Sequence, residues 1–206
     1  MRDNSETEAF AGHRATRAAF LGKSAVAGGA LAAGFLWLGG RTGQAAPSRA
    51  QDERILNFAL GLEYLQAGFY AHAVERGALS GELLEFAETV GDQERQHVEY
   101  LRTSLGSAAR PEPQLDFGDL AADEERFGQA AYVLEESGVA AYIGQGANLT
   151  VQAVGAAAPV VAVEARHAAW ISDLVGRDPA PRAADAAATA AKVRARLENA
   201  GFPYQG

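Results

Sequence analysis

The chain has 206 residues, enough for one substantial hydrophobic core, which predicts a single domain with appendages. It contains no cysteine, and this excludes disulfides, zinc–thiolate sites and iron–sulfur clusters. Residues 1–46 hold five of the 18 basic and three of the 26 acidic side chains, so the remainder carries a formal net charge of −10. A body this acidic argues against nucleic-acid binding, which needs basic surface, and is compatible with attracting cations.

The N-terminal segment, residues 1–46, has the pattern of an export signal. Two arginines precede an uncharged stretch over residues 24–40, and small residues at 45 and 46 offer a cleavage site. The sequence around Arg17 resembles a twin-arginine signal, but Ala18 stands where the second arginine would be, so the Sec route stays open. An uncleaved membrane anchor is the alternative, although the stretch is short for a spanning helix. We expect export to the periplasm, the cell envelope or the exterior, with membrane contact only through an uncleaved signal.

Two helical patterns joined by a short turn follow this segment. In residues 52–76 apolar residues recur at steps of three and four, and Glu63 lies inside the apolar stripe. A second pattern begins after Ser80, a predicted N-cap, and carries Glu94 and His97 in its stripe. Because residues three apart on a helix point the same way, Glu94 and His97 can bind one ion together.

Residues 106–118, which include two prolines, form the only long break in the body. Thirteen extended residues reach roughly 43 Å, and a 26-residue helix is roughly 39 Å long. The loop can therefore return along the bundle. This predicts one long crossover between two helical hairpins rather than an up-down-up-down order.

The second hairpin is a diverged repeat of the first. A third helix is predicted over residues 121–145 and carries Glu135. A fourth, starting at about residue 148 or 150 and ending near 175, carries Glu164 and His167 at the same spacing as the first Glu-x-x-His pair. Pro159 lies inside this fourth pattern and predicts a kink or a late start just before the motif.

The choice of Glu135 over its neighbour Glu136 depends on this repeat. Tyr70 follows Glu63 by seven positions, and Tyr142 follows Glu135 by the same number. Glu136 remains the alternative, because it belongs to a second plausible inward stripe. The two tyrosines are either aromatic core residues or neighbours of a polar site.

Together these residues predict a site for two metal ions. Buried ionised carboxylates are costly unless they are paired or bound to metal, and two divalent cations would balance four of them. An oxygen-rich shell with two nitrogens favours iron or manganese. One Glu from each of two helices, with Glu-x-x-His from each of two others, is the arrangement of ferritin-like di-iron and di-manganese bundles. The predicted metal ligands are Glu63, Glu94, His97, Glu135, Glu164 and His167, with Glu94 and Glu164 assigned as bridging from bundle symmetry.

Two further residues allow more than one interpretation. Gly138 lies one turn after Glu135 and indicates either an access path to the metals or close helix packing. His72 falls off the Glu63 stripe, so we expect a surface or otherwise satisfied histidine rather than a ligand.

The same motifs resemble a known family. Residues 55–70, Glu94-x-x-His97, Glu135-x-x-Gly138 and the run from Glu164 to Ala169 are similar to the ferritin-like, desiccation-related proteins, which are exported four-helix bundles. The similarity covers about residues 51–175. It implies a ferritin-like fold and the same six ligands, and it implies little about activity.

The chain is thus predicted to be all-α. Residues 1–46 are the export signal or anchor, 51–176 a ferritin-like four-helix bundle with one long crossover, and 177–206 a tail with a short helix. We expect two iron or manganese ions acting on O₂ or H₂O₂ in protection against oxidative or desiccation stress, with ferroxidase-like or catalase-like chemistry. The alternative is a non-catalytic metal-binding or structural stress protein. The oligomeric state stays open.

Overall fold

The computed structural model describes residues 46–203, and this part of the chain is helical with no strand. Its α-helices are α1 (Arg49–Arg76), α2 (Gly81–Leu105), α3 (Glu124–Gly146), α4 (Val151–Leu174) and α5 (Ala190–Asn199), with a 3₁₀ turn at Gly106–Ala108. Within this described part, no helix is long and apolar enough to cross a membrane. The predicted export signal lies outside the described residues.

The first four helices form two hairpins joined by a connection that runs along the bundle. α2 and α3 begin at the same end, where the Ser80 hydroxyl donates to Glu124 Oε1 at 2.7 Å. α1 and α4 begin at the opposite end, where Asp52 accepts hydrogen bonds from the N–H and hydroxyl of Thr150 at 2.9 and 2.6 Å. Residues 106–123 therefore span the bundle. This confirms the predicted all-α four-helix bundle with one long crossover.

The helices of the first hairpin begin and end largely where capping residues in the local sequence predict. Ser48 caps α1 by accepting a hydrogen bond from the N–H of Gln51 at 3.3 Å. Gly77 ends the helix in the left-handed conformation, with φ 68°. Ser80 stands at the predicted N-cap of α2, but its side chain makes no cap bond, and its hydroxyl binds Glu124 instead.

Helix α4 continues through Pro159, so it does not start late. Proline has no N–H and leaves the carbonyl of Gly155 without its helical partner. Both residues are exposed, so water can hydrogen-bond this carbonyl. The helix therefore extends from Val151 through the motif and keeps Glu164 and His167 on its buried face.

Two apolar clusters fill the bundle and enclose the predicted ligands between them. One surrounds Phe69, whose ring stacks on Phe127 with the centroids 5.6 Å apart. The other includes Leu60 and Leu101. Helix α2, for example, contributes residues before Glu94 to the first cluster and residues after His97 to the second. Apolar packing on both sides excludes water from the polar layer.

The C-terminal tail packs against α3 and completes the domain. Val193 and Leu197 of α5 are buried in the Phe69 cluster. The N–H of Ala188 donates to the carbonyl of Ala140 at 2.9 Å. Gly144 permits this approach, because a Cβ there would lie 1.8 Å from the Ala188 carbonyl oxygen. Helix α5 begins at Ala190, inside the tail for which a short helix is predicted.

Candidate metal centre

The six predicted ligands converge inside the bundle. Helix α1 contributes Glu63, α2 Glu94 and His97, α3 Glu135, and α4 Glu164 and His167. All four glutamates are 0% exposed, and the two histidines are 8% and 3% exposed. Since ionised carboxylates lose much solvation energy on burial, four of them in one enclosed layer need compensating positive charge.

The donor atoms form two sets of four that share two carboxylates. One set is Glu63, Glu94, His97 and Glu164, and the other is Glu94, Glu135, Glu164 and His167. Within each set one donor atom from every residue lies within 4.8 Å of the others. Glu94 and Glu164 belong to both sets, so they are the carboxylates that two ions would share. Glu63 and Glu135 each belong to one set, and one histidine completes each.

His97 lies among three carboxylates. Its Nδ1 is 3.0 Å from Glu94 Oε2, 3.1 Å from Glu164 Oε1 and 3.2 Å from Glu63 Oε2. In the absence of metal a proton on this nitrogen is attracted by all three groups. The same nitrogen is the atom through which His97 would bind an ion held by these carboxylates.

His167 is oriented by a hydrogen bond on its outer side. Its Nε2 lies 2.8 Å from Gln93 Oε1, and an amide oxygen can only accept, so Nε2 carries a proton. In the neutral ring Nδ1 then keeps its lone pair and faces the carboxylates, 2.9 Å from Glu94 Oε1. Such outer hydrogen bonds commonly fix the tautomer of a metal-binding histidine.

Three buried atoms of the cluster have no hydrogen-bond partner: Glu94 Oε1, Glu164 Oε1 and His167 Nδ1. The histidine nitrogen is close to the Glu94 oxygen but is not aligned with it for a hydrogen bond. Buried polar atoms are ordinarily paired. These three belong to the two shared carboxylates and to a ligand imidazole, so the residues present fit a site for two cations.

Burial and mutual repulsion favour protonation of the metal-free cluster. Burial, followed by the charge of Glu94, raises the pKa of Glu63 to about 8. Burial and the charge of Glu63 raise the pKa of Glu164 to about 7, and burial and the charge of Glu164 raise that of Glu94. Burial lowers the pKa of both histidines, but the surrounding carboxylates outweigh it and raise the pKa of His97 to about 12 and of His167 to about 10. In the metal-free cluster, protons rather than metal cations thus offset the negative charge of the carboxylates.

Two tyrosines cross between the hairpins and hold the unshared glutamates. The Tyr70 hydroxyl on α1 donates to Glu135 Oε1 on α3 at 2.5 Å, and the Tyr142 hydroxyl on α3 donates to Glu63 Oε1 on α1. Burial and the charge of the accepting carboxylate raise the pKa of each hydroxyl well above its usual range, so both remain donors. The structure therefore places both tyrosines beside the polar site, an alternative that the sequence left open.

Gln66 makes the two halves of the site unequal. Its Nε2 donates to Glu164 Oε2 at 2.9 Å and lies 3.3 Å from both oxygens of Glu135. The equivalent position on α3 is Gly138, where a Cβ would lie 2.6 Å from Glu164 Oε2. The space at Gly138 is therefore filled by side chains of the site. This supports the close-packing interpretation of Gly138 over an access path.

The other candidates from the sequence lie outside the cluster. Glu136 points away and its carboxylate lies 3.9 Å from Arg182. His72 is half-buried against Phe117, with the ring centroids 5.6 Å apart. It belongs to neither donor set, and its Nε2 has no hydrogen-bond partner within residues 46–203.

Sequence reasoning did not assign a role to Gln66 or Gln93. Gln66 gave one signal, because a glutamine one turn after Glu63 in an apolar stripe needs a buried partner. Gln93 gave none, since it occupies an ordinary half-exposed position and its contact with His167 joins two helices that are distant in sequence.

Gly138→Ala tests the close approach of Glu164. The added methyl group would displace the Glu164 carboxylate, so we expect metal affinity to fall by about tenfold or more, measured by competition with a chelator of known affinity. Gly155→Ala is the matched control, because it adds the same group to a helix where nothing lies within 4 Å. Equal affinities in the two variants would show that the position of Glu164 does not matter for metal binding.

The pKa shifts predict how the stability of the metal-free protein changes with pH. Glu63, Glu164 and both histidines have higher pKa values in the folded than in the unfolded state, so the folded state binds more protons. Its free energy of unfolding should fall as pH rises from about 4.5 towards 8, by about 1.4 kcal/mol per pH unit for each extra proton. Denaturant titration of the chelated protein at pH 5 and pH 8 measures this.

Two glutamate variants, one buried and one exposed, serve as test and control in the same experiment. Glu63→Gln removes one titrating group, so the metal-free variant should be more stable than the parent at pH 8 and lose less stability between pH 5 and pH 8. Glu88→Gln, an exposed change on α2, should behave like the parent. Stability that is constant or rises over this range in the chelated parent would contradict a mutually repelling buried cluster.

A comparison with family models matches residues 51–177 to the ferritin-like domain. No curated protein matches the chain. The matched segment covers more than half of the chain and includes all six clustered residues, α2, α3 and α4, and all of α1 except its first two residues. The chain therefore belongs to the ferritin-like domain family.

Proposed function

We propose that this protein is an exported, desiccation-related member of the ferritin-like family that holds two iron or manganese ions and consumes O₂ or H₂O₂. The observation that carries the proposal is the pair of four-residue donor sets that share Glu94 and Glu164. Two redox-active ions held side by side supply the paired one-electron steps that reduction of these oxidants needs.

The protein's own residues would position and isolate such ions. The shared carboxylates set the two positions side by side, and Tyr70 and Tyr142 keep one oxygen of each unshared glutamate engaged. The tyrosine hydroxyls are also the nearest protonated groups to Glu135 and Glu63, so they can hold a proton beside the site. The enclosing apolar clusters exclude bulk water and side reactions.

The enclosure restricts the substrate. The four glutamates are fully buried and the histidines nearly so, which favours small substrates such as O₂ or H₂O₂ over bulky ones. The same enclosure supports a second candidate function, a non-catalytic protein whose metal ions brace the four helices, because bound metal adds its binding free energy to folding.

Metal loading followed by turnover separates the two functions. Protein stripped with a chelator is reloaded with Fe(II) or Mn(II), and metal per chain, loss of H₂O₂ and oxidation of Fe(II) are measured. We expect about two ions per chain, as the two donor sets require, and turnover of at least one oxidant. Two bound ions with no turnover under any loading would instead establish the bracing function.

Variants of Glu63 on α1 and of Glu94 and Glu88 on α2 test the site in the same assays. Glu94→Ala removes a carboxylate of both donor sets and should abolish binding of both ions, whereas Glu63→Ala removes a member of only one set. Glu88→Ala, on the exposed face of the same helix, should bind metal like the parent. Unchanged metal content in Glu94→Ala would contradict the proposed site, whichever function applies.

We also propose that residues 1–46 direct export and are then removed. Cleavage near residue 46 would leave the bundle whole, because α1 begins at Arg49 and its cap, Ser48, would be retained. N-terminal sequencing of protein from the native host should begin between residues 46 and 51, in a fraction outside the cytoplasm. An intact Met1 on membrane-bound protein would support the anchor alternative.

A further inference from the structure

A basic cavity lies at the surface where the crossover, α1 and α5 meet. It has a volume of about 260 Å³, and its lining includes Arg54 from α1, Arg110 from the crossover and Arg194 from α5. No acidic residue of the described part of the chain lines it, and none of the six clustered residues does. The cavity is therefore separate from the candidate metal centre.

These three arginines have no carboxylate partner within residues 46–203. The arginines that form ion pairs there are Arg49, Arg76, Arg95, Arg126 and Arg182. Acidic partners are abundant, because the chain beyond residue 46 has ten more acidic than basic residues. Three cations around one cavity repel one another, and in this acidic protein their grouping without carboxylates indicates a place for an external anion.

The wall formed by the crossover is held in place by side chains of α1. Asn57 Oδ1 accepts a hydrogen bond from the N–H of Arg110 at 2.8 Å, and its Nδ2 donates to the carbonyl of Ala108 at 2.9 Å. The buried Tyr64 hydroxyl donates to the carbonyl of Arg110 at 3.3 Å. Prolines at 111 and 113 restrict the backbone that follows. The loop that carries Arg110 is thus fixed before any ligand arrives.

The opposite wall comes from the tail. Helix α5 is anchored by its buried residues Val193 and Leu197, which flank Arg194. The Arg194 guanidinium carbon lies 5.9 Å from the centroid of the Phe58 ring, within the range of a cation–π contact. Within residues 46–203 the Arg194 guanidinium makes no hydrogen bond or ion pair, so its N–H donors are available to a ligand.

We propose that this cavity binds a small multivalent oxyanion of the phosphate type, either free or as the headgroup of a larger molecule. Guanidinium groups present paired N–H donors that match the oxygens of phosphate, and they stay charged at every physiological pH. The cavity is smaller than most sites for drug-sized ligands, so it accommodates a headgroup rather than a large molecule.

Calorimetric titration of the full chain with inorganic phosphate and with pyrophosphate tests this. We expect saturable binding that weakens with added NaCl and falls by about tenfold or more in Arg54→Gln/Arg194→Gln, which removes two charged donor groups. The control is Arg126→Gln/Lys192→Gln, which removes the same charge from exposed positions outside the cavity, one of them on α5. Melting temperatures of both variants should match that of the parent, because all four side chains are exposed.

A second arm identifies the source of the oxyanion. Co-sedimentation with phosphatidylcholine vesicles, with and without phosphatidic acid, detects a lipid headgroup. Arginine-dependent binding to the phosphatidic acid vesicles alone assigns the site to a lipid, and arginine-dependent binding of phosphate or pyrophosphate assigns it to a free oxyanion. The proposal is wrong if neither probe binds saturably, or if the control variant loses as much affinity as Arg54→Gln/Arg194→Gln.

Discussion

The constraint on which the structure depends is the burial of four carboxylates in one layer of a helical bundle. Glu63, Glu94, Glu135 and Glu164 are fully enclosed, and water cannot screen their repulsion. Positive charge must therefore enter with them, as protons or as cations. The raised pKa values of the glutamates favour protons in the metal-free cluster. Cations would instead bind the donor atoms that have no hydrogen-bond partner. Protons and metal ions thus compete for the same oxygens, which couples metal affinity, stability and pH.

The two hairpins contribute matching residues to the buried layer, and they differ at one equivalent position. Each contributes one unshared glutamate, one Glu-x-x-His pair and one tyrosine that reaches across to the glutamate of the other hairpin. At the turn after that glutamate, α1 has Gln66 and α3 has Gly138. The amide of Gln66 extends into the space that Gly138 leaves and contacts Glu164 and Glu135. Since no equivalent amide within residues 46–203 faces Glu63, the two donor sets have different surroundings.

The sequence predicted those features that depend on spacing along one helix. The steps of three and four residues fixed which face of each helix is buried, and the three-residue step placed Glu94 with His97 and Glu164 with His167. The lengths of the helices and of the loop with two prolines were enough to predict the crossover. Contacts between helices were beyond this reasoning, because the reach of Gln93 to His167, or of Gln66 to Glu164, depends on how two helices are rotated against each other. The basic cavity was missed for the same reason, since its arginines are far apart in sequence.

The crossover and the C-terminal tail lie outside the metal centre, and their contacts connect and cover the helices of the bundle. A crossover that runs along the bundle is exposed on one side, and it needs fixed contacts with the helices beneath it, which Asn57 and Tyr64 provide. The tail then covers part of α3 and brings α5 beside α1 and the crossover. Within residues 46–203 neither segment supplies a member of the donor sets, so exposed substitutions in them remove no donor atom. The fold thereby separates an enclosed acidic site from an exposed basic one, which keeps the arginines of the cavity away from the carboxylates that would hold metal ions.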